Sequence, residues 1–182
     1  MPVYTSMLRG INVGPHKRMK MDRLRVSFEA LGFEQVETYI QSGNVVFKTG
    51  KISTSRLSKQ IEERLLADFN FSVPVVTRTA KEINAAVDNN PFLREKGIDL
   101  EKLHVMFLSE APVPAALEKF ASLISPPDRC HCLNKQIFFY LPNGVSGSVL
   151  MKQPVDRLLQ VVPTMRNWRT VNQLVQMCKE CK

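Results

Sequence analysis

The chain has 182 residues, 44% of them apolar and 23% charged, and a formal net charge of +8 at pH 7. This composition is typical of a water-soluble globular protein, and the length suits one domain or two small ones of roughly 90 residues. Because no apolar run exceeds five residues and no basic leader precedes an apolar N-terminal segment, bilayer-spanning helices of about 20 residues and secretory signals are excluded, which predicts a cytoplasmic protein.

Strand and helix patterns alternate through the first half of the chain. Strands are predicted over Val3–Leu8, Val36–Gln41, Asn44–Thr49 and Ser72–Arg78. Amphipathic helices fill the gaps between them, one ending at Gly32 and the other covering Thr54–Phe69. The order strand, helix, strand, strand, helix, strand is the ferredoxin-like pattern.

The second half repeats much of that order after a linking helix that opens with a capping box at Thr79 and Glu82. The later elements are strands over Leu103–Ser109, Arg129–Leu133 and Gln136–Leu141, a helix from Pro114, and short helices over Pro154–Val162 and Thr170–Cys178. The prediction is an α+β protein with two tandem ferredoxin-like (βαββαβ-type) subdomains. The first spans residues 1–79, residues 80–102 form a linking helix and loop, and the second spans residues 103–182 and ends in extra C-terminal helices where a last strand is expected.

Polar and glycine residues follow the first two predicted strands. In a ferredoxin-like unit these strands run parallel and end at one sheet edge, where the first helix also begins. The predicted ligand-binding residues at this edge are Arg9, Gly10, Asn12, Gly14, Lys20, Tyr39, Ser42, Gly43 and Asn44. Cations, amide and hydroxyl groups, and glycines that permit close backbone approach suit a phosphate or carboxylate group. The alternative is that the glycines serve only tight turns and the asparagines hydrogen-bond their own turns.

A second predicted binding segment is Arg166, Asn167 and Trp168. A capping box at Thr170 and Gln173 would place these residues just before a helix N-terminus, where exposed N–H groups attract anions. The lone tryptophan could stack on a base. Alternatively, it anchors the last helix to the core while the arginines are solvated.

The positive charge lies at the two ends of the chain. Residues 1–26 hold six bases and one acid, residues 152–182 hold six bases and two acids, and the middle holds 13 bases and 14 acids. If the ends meet, they create a positive field for phosphates or acidic partners. The alternative is a basic surface without function.

Four cysteines occur in two close pairs, Cys130 with Cys132 and Cys178 with Cys181. Two pairs suggest a zinc site. A single residue between two cysteines on a strand is poor zinc spacing, however, and buried thiols in a reducing compartment are the favoured interpretation. No metal and no cofactor is predicted.

Several of these motifs together resemble one family. The matching segments are 8–14 (LRGINVG), 20–21 with Leu24, 31–33 (LGF), 38–47 (TYIQSGNVVF), 90–92 (NPF), and Thr164 with 166–168 and Thr170. The chain is similar to the bacterial domain-of-unknown-function family 1697, and the resemblance implies paired ferredoxin-like subdomains and no established activity. Pro15 stands where the family usually has a second glycine, and the cysteine pairs are outside the family pattern.

Three classes of function remain open on the sequence. The first is binding of a phosphorylated small molecule or nucleotide, and the second is nucleic-acid binding without sequence specificity. Sequence-specific RNA reading is disfavoured because the third strand, residues 44–48, lacks neighbouring aromatic residues. The third class is an enzyme, although no hydrolase elbow, Walker loop or metal-ligand spacing is present. No membrane partner is predicted, and the oligomeric state is not readable.

Overall fold

The computed structural model describes residues 1–181 and divides into two compact units. The first unit contains residues 1–85 and the C-terminal residues from Gln173 onward, and the second contains residues 86–172. Each unit has one four-stranded antiparallel sheet. None of the helices within residues 1–181 combines the length and apolarity needed to cross a bilayer. The predicted α+β class with two ferredoxin-like subdomains is confirmed.

The first unit has the predicted element order. Its elements are β1 (Val3–Leu8), α1 (Met21–Glu29), β2 (Glu34–Tyr39), β3 (Asn44–Lys48), α2 (Thr54–Phe69) and β4 (Val75–Thr79). The strands lie in the order β2-β3-β1-β4. The bounds of β1 and α2 match the prediction, whereas β2 begins two residues earlier and contains an irregular register between Glu34 and Glu37.

Both faces of β1 in the first unit are buried. Tyr4 and Leu8 belong to a core formed with the apolar stripes of α1 and α2, in which Phe28 contacts Phe47 of β3 at 5.4 Å between ring centroids. Because side chains alternate along a strand, Thr5 points to the opposite face. There its Oγ1 lies 3.2 Å from Sγ of Cys178. The C-terminal residues therefore complete the first unit.

The second unit repeats this topology. Its elements are β5 (Leu103–Leu108), α4 (Pro114–Ala121), β6 (Arg129–Leu133), β7 (Gln136–Tyr140), α5 (Gly144–Gly147), α6 (Val155–Leu159) and β8 (Pro163–Asn167), with α3 (Ala80–Asp88) leading in from β4 and α7 (Trp168–Glu180) following β8. The strand order is β6-β7-β5-β8. The structure thus supplies the last strand that the sequence pattern misses. Thr164 and Arg166 occupy one buried face of β8. Because these buried residues are polar, the strand does not show the alternation of apolar and polar residues by which strands are predicted.

One buried arginine marks the same place in each sheet. Arg78 of β4 pairs with Thr5, and Arg166 of β8 pairs with Val105 of β5. In both arginines Nη1 donates to the carbonyl of the preceding residue, at 3.0 Å for Arg78 and 2.8 Å for Arg166. The two units therefore share this hydrogen-bonded buried arginine as well as a topology.

The two predicted helix caps have different outcomes. The Thr79–Glu82 capping box is confirmed, with Thr79 N donating to Glu82 Oε2 at 2.8 Å and Glu82 N donating to Thr79 Oγ1 at 3.2 Å. The Thr170–Gln173 box is wrong. The α7 helix begins at Trp168, directly after β8, and Asn167 Oδ1 accepts the N–H of Thr170 at 2.8 Å. The helix is therefore capped by Asn167, three residues before the predicted cap at Thr170.

Candidate anion-binding site

Asn12 closes the loop between β1 and α1, which we call the basic loop (residues 9–20). Its Nδ2 donates to Met19 O at 2.9 Å and to Gln41 O at 2.8 Å, and its Oδ1 accepts from Met19 N at 2.8 Å. The backbone N–H of Asn12 also donates to Lys17 O at 3.1 Å. Asn12 thus ties the basic loop to itself and to the turn after β2. The interpretation that this asparagine hydrogen-bonds its own turn accounts for its bonds to Met19 but not for its bond to Gln41.

The turn between β2 and β3 is held from both sides. Asn44, fully buried, donates through Nδ2 to Tyr39 O at 3.0 Å and to Ser42 Oγ at 3.1 Å. Leu8 N donates to Gly43 O at 2.8 Å. The end of β1 and the turn after β2 therefore meet at one sheet edge.

Ile40 in this turn has an unfavourable backbone conformation. Its φ is +50°, and a β-branched residue in the left-handed region carries a strain of about 1–2 kcal/mol. Such strain persists only where the surroundings fix the backbone. The bonds from Asn12 to Gln41 and from Asn44 to Tyr39 bracket Ile40 and hold it in place.

The basic loop presents its charged side chains outward. His16, Lys17, Arg18 and Lys20 are exposed, as are Gly10 and Gly14, both in the left-handed region. Lys17 Nζ donates to Ser72 O at 2.8 Å, which fixes one ammonium group at the base of the loop. Arg9 is half-buried, and its backbone N–H donates to Pro74 O at 2.9 Å.

The α1 helix starts beside these cations without a side-chain cap. Lys20 occupies the N-cap position and its side chain makes no capping bond. The first N–H groups of a helix have no partner inside the helix, and they carry a partial positive charge. The first turn also contains Asp22, whose Oδ1 lies 4.0 Å from Arg25 Nη2. Apart from this carboxylate, the groups at this position favour an anion.

The second predicted segment lies in the second unit and is more buried than expected. Arg166 is 8% exposed, and its Nη1 donates to Thr164 Oγ1 at 2.9 Å. Burial lowers the pKa of Arg166 to about 10. The expectation of solvated arginines is therefore wrong for Arg166. Trp168 is 7% exposed, consistent with an anchoring role, and borders a cavity of about 400 Å³ together with Leu100, Glu101, Asn167 and Arg169.

The four cysteines are poorly suited to metal binding or nucleophilic chemistry. Burial raises the pKa of Cys130 to about 11 and also raises the pKa values of Cys132, Cys178 and Cys181. Within residues 1–181, no group of three His, Cys, Asp or Glu side chains is placed to hold a metal ion. His104 on β5 is half-buried, and burial lowers its pKa.

We expect the thiols of the folded protein to react slowly with an aromatic disulfide reagent near pH 8. Because Cys130 titrates at about 11 when folded and near 8.5 when unfolded, its thiolate fraction and reaction rate should fall at least about tenfold relative to urea-unfolded protein. The higher pKa of the folded state also makes stability depend on pH, because the unfolded chain releases the Cys130 proton first. This contribution to the free energy of unfolding is fully present below about pH 8.5 and is lost as the pH rises towards 11. Equal rates for folded and unfolded protein would contradict this prediction, and Cys130→Ala should flatten the alkaline loss of stability.

Comparison with known proteins agrees with this architecture of two ferredoxin-like units. The chain belongs to the family described as "Protein of unknown function (DUF1697)", which matches residues 1–138. A solved structure, that of the conserved bacterial protein SP0830 from Streptococcus pneumoniae, is similar over 97% of this chain and 98% of that chain, with 25% identity and a TM-score of 0.77. No curated protein matches the chain.

Proposed function

We propose that the protein binds a phosphate-bearing small molecule or nucleotide through the basic loop. The observation that carries this proposal is the hydrogen-bonded closure of the loop by Asn12, which holds exposed cations beside the uncapped start of α1. A flexible basic segment would have to be ordered on binding, whereas a loop already fixed by these bonds loses little conformational entropy.

Each part of the loop has a distinct role in this proposal. Arg18 and Lys20 supply exposed cations, and the first N–H groups of α1 supply fixed donors for a phosphate oxygen. Asn12 is a positioning residue, because both hydrogens of its amide are already donated to backbone carbonyls. Arg9, Tyr39 and the turn residues Ser42, Gly43 and Asn44 form the border of the site. Arg166, Asn167 and Trp168 are not needed for the proposal.

Nucleic-acid binding is the second candidate, and the exposure of the basic loop favours it. Residues 13–18 are all exposed, and residues 1–26 carry a net charge of +5 from six bases and one acid. Sequence-specific RNA reading through the sheet is not supported, because Val45, Val46 and Phe47 of β3 are all buried. Any nucleic-acid affinity would therefore come from phosphate contacts.

The double substitution Arg18→Ala and Lys20→Ala should weaken binding of ADP at least about tenfold, because each cation makes a charge-assisted contact worth roughly 1.5–3 kcal/mol. Calorimetric titration of ADP measures this effect. The matched control removes Arg56 and Lys59, two exposed cations on α2 of the same unit. An equal loss in the control would show that overall charge, and not the basic loop, attracts the ligand.

Salt dependence separates the two candidate functions. Binding of a short single-stranded oligonucleotide through several phosphates should give a log–log salt slope of about −0.7 per neutralised phosphate. A site for one phosphorylated metabolite should give a shallower slope with ADP. Absence of binding by both ADP and the oligonucleotide would refute an anion-binding function for the loop.

A further inference from the structure

The second unit contains a cavity of about 460 Å³ that the basic loop does not involve. Pro91, Phe92, Ile124 and Pro126 supply apolar walls, and Asp128 and Arg129 lie at the start of the edge strand β6. Asn90 shapes one wall, because its Oδ1 accepts the N–H of Phe92 at 3.1 Å. The cavity thus combines aliphatic and aromatic surface with a few charged groups, as small-molecule sites do.

The single arginine of this cavity is already engaged. Arg129 donates to both carboxylate oxygens of Glu95, at 3.0 and 2.9 Å. Its guanidinium also lies over the rings of Phe92 and Tyr140, 5.2 and 5.0 Å from their centroids. A guanidinium held by a bidentate carboxylate and two rings has a fixed orientation. Glu95 and Arg129 therefore neutralise each other.

Asp128 is the charged group of the cavity that lacks a counterion. The residue is 8% exposed and lines the cavity. Within residues 1–181, its carboxylate accepts no hydrogen bond and forms no ion pair, and its one described bond runs from its backbone N–H to Ser125 O. The side chain is thus largely enclosed by the cavity walls, and among the described residues its carboxylate has no protein donor or cation beside it.

We propose that this cavity binds a small primary alkylamine in its protonated form. The ammonium group would pair with Asp128, and the alkyl chain would lie against Pro91, Ile124 and Pro126. The charges at the cavity favour a monocation, because Glu95 is neutralised by Arg129 and Asp128 contributes one further negative charge. The proposed ligand has the same sign as the net charge of +8 and the opposite sign to the anion proposed for the basic loop.

The probe is n-butylammonium, followed by two-dimensional amide NMR of the full chain near neutral pH. Binding with a Kd on the order of millimolar is expected, with shifts confined to residues around 91–95 and 124–131. n-Butanol has nearly the same size without the charge and should bind at least about tenfold more weakly. Equal binding of the alcohol, or shifts spread over other regions, would overturn the proposal.

The variant Asp128→Asn keeps the shape of the side chain and removes its charge. It should weaken n-butylammonium binding at least about tenfold. The matched control is Glu118→Gln, which removes an exposed carboxylate on α4 of the same unit and should leave binding unchanged. Unchanged binding by a folded Asp128→Asn variant would refute the assignment. If that variant does not fold, the comparison of amine with alcohol in the wild-type protein still decides the question. ADP binding at the basic loop should be unaffected in every case.

Discussion

The substitution Gly43→Ala should destabilise the protein by about 2–5 kcal/mol. Gly43 has a φ of +76°, and a Cβ there would lie 2.7 Å from Ile11 Cδ1 and 2.9 Å from Leu8 Cβ. The left-handed conformation costs alanine about 1–2 kcal/mol, and overpacking of a buried site adds about 1–3 kcal/mol. Thermal unfolding followed by circular dichroism should show a melting temperature lower by on the order of 10 °C.

Gly10 offers a matched control for this prediction. It has a similar φ of +70°, and a Cβ there would meet nothing within 4 Å. Gly10→Ala should therefore show the backbone cost alone, about 1–2 kcal/mol. If both variants lose the same free energy of unfolding, the close approach of Gly43 to Ile11 and Leu8 does not contribute to stability. The tight packing between β1 and the turn after β2 would then not be what holds these segments together.

The substitution Asn12→Ala should destabilise the protein by about 4 kcal/mol, of which about 1 kcal/mol is the cost of a positive φ for alanine, and should also abolish ADP binding. The variant loses the bonds of the Asn12 side chain to Met19 and Gln41, each worth about 1 kcal/mol. Without them the basic loop is no longer closed, so the cations of the loop lose their fixed positions. Denaturant unfolding gives the stability change, and calorimetric titration with ADP gives the change in affinity.

Asn70 controls for the backbone part of this effect. It caps α2 at a φ of +58°, close to the +55° of Asn12, and within residues 1–181 its side chain makes no hydrogen bond. Asn70→Ala should cost only about 1 kcal/mol. An Asn12→Ala variant no less stable than Asn70→Ala, yet unable to bind ADP, would mean that Asn12 contacts the ligand and does not position the loop. Normal ADP binding by Asn12→Ala would contradict both roles.

Periodic elements of the fold could be predicted because local pattern and burial agree in them. The α2 helix presents Leu57, Ile61 and Leu65 at helical spacing, and all three are buried, so its bounds follow from the sequence. The β1 strand is also predicted to the residue, since Gly10 follows it closely. In these segments the intrinsic preferences and the tertiary contacts favour the same structure.

Elements with polar buried faces could not be predicted in this way. The β8 strand buries Thr164 and Arg166, whose side chains are satisfied by internal hydrogen bonds. Apolar alternation is then absent, and a pattern-based search finds only a loop before the last helix. The same error moved the predicted cap of α7 from Asn167 to Thr170.

The candidate sites show the same division. Parallel first and second strands suffice to predict that the basic loop and the turn after β2 share an edge, and the bond from Asn12 to Gln41 joins these segments. The Asp128 cavity could not be assembled from the sequence, although two residues of its wall, Pro91 and Phe92, lie in the motif at residues 90–92. Its wall residues are separated by more than 30 positions between Phe92 and Pro126, and an isolated aspartate after two prolines is typical of an ordinary turn.

The sequence by itself determined the element order, the family and the positive charge of the N-terminal segment, because these depend on local periodicity, on motifs and on composition. Only the tertiary structure decided which polar groups are already satisfied. Asn12, Asn44 and Arg166 form internal hydrogen bonds, whereas Asp128 lines a cavity without a counterion. Burial and hydrogen-bond partners come from residues far apart in the chain, so no local pattern records them.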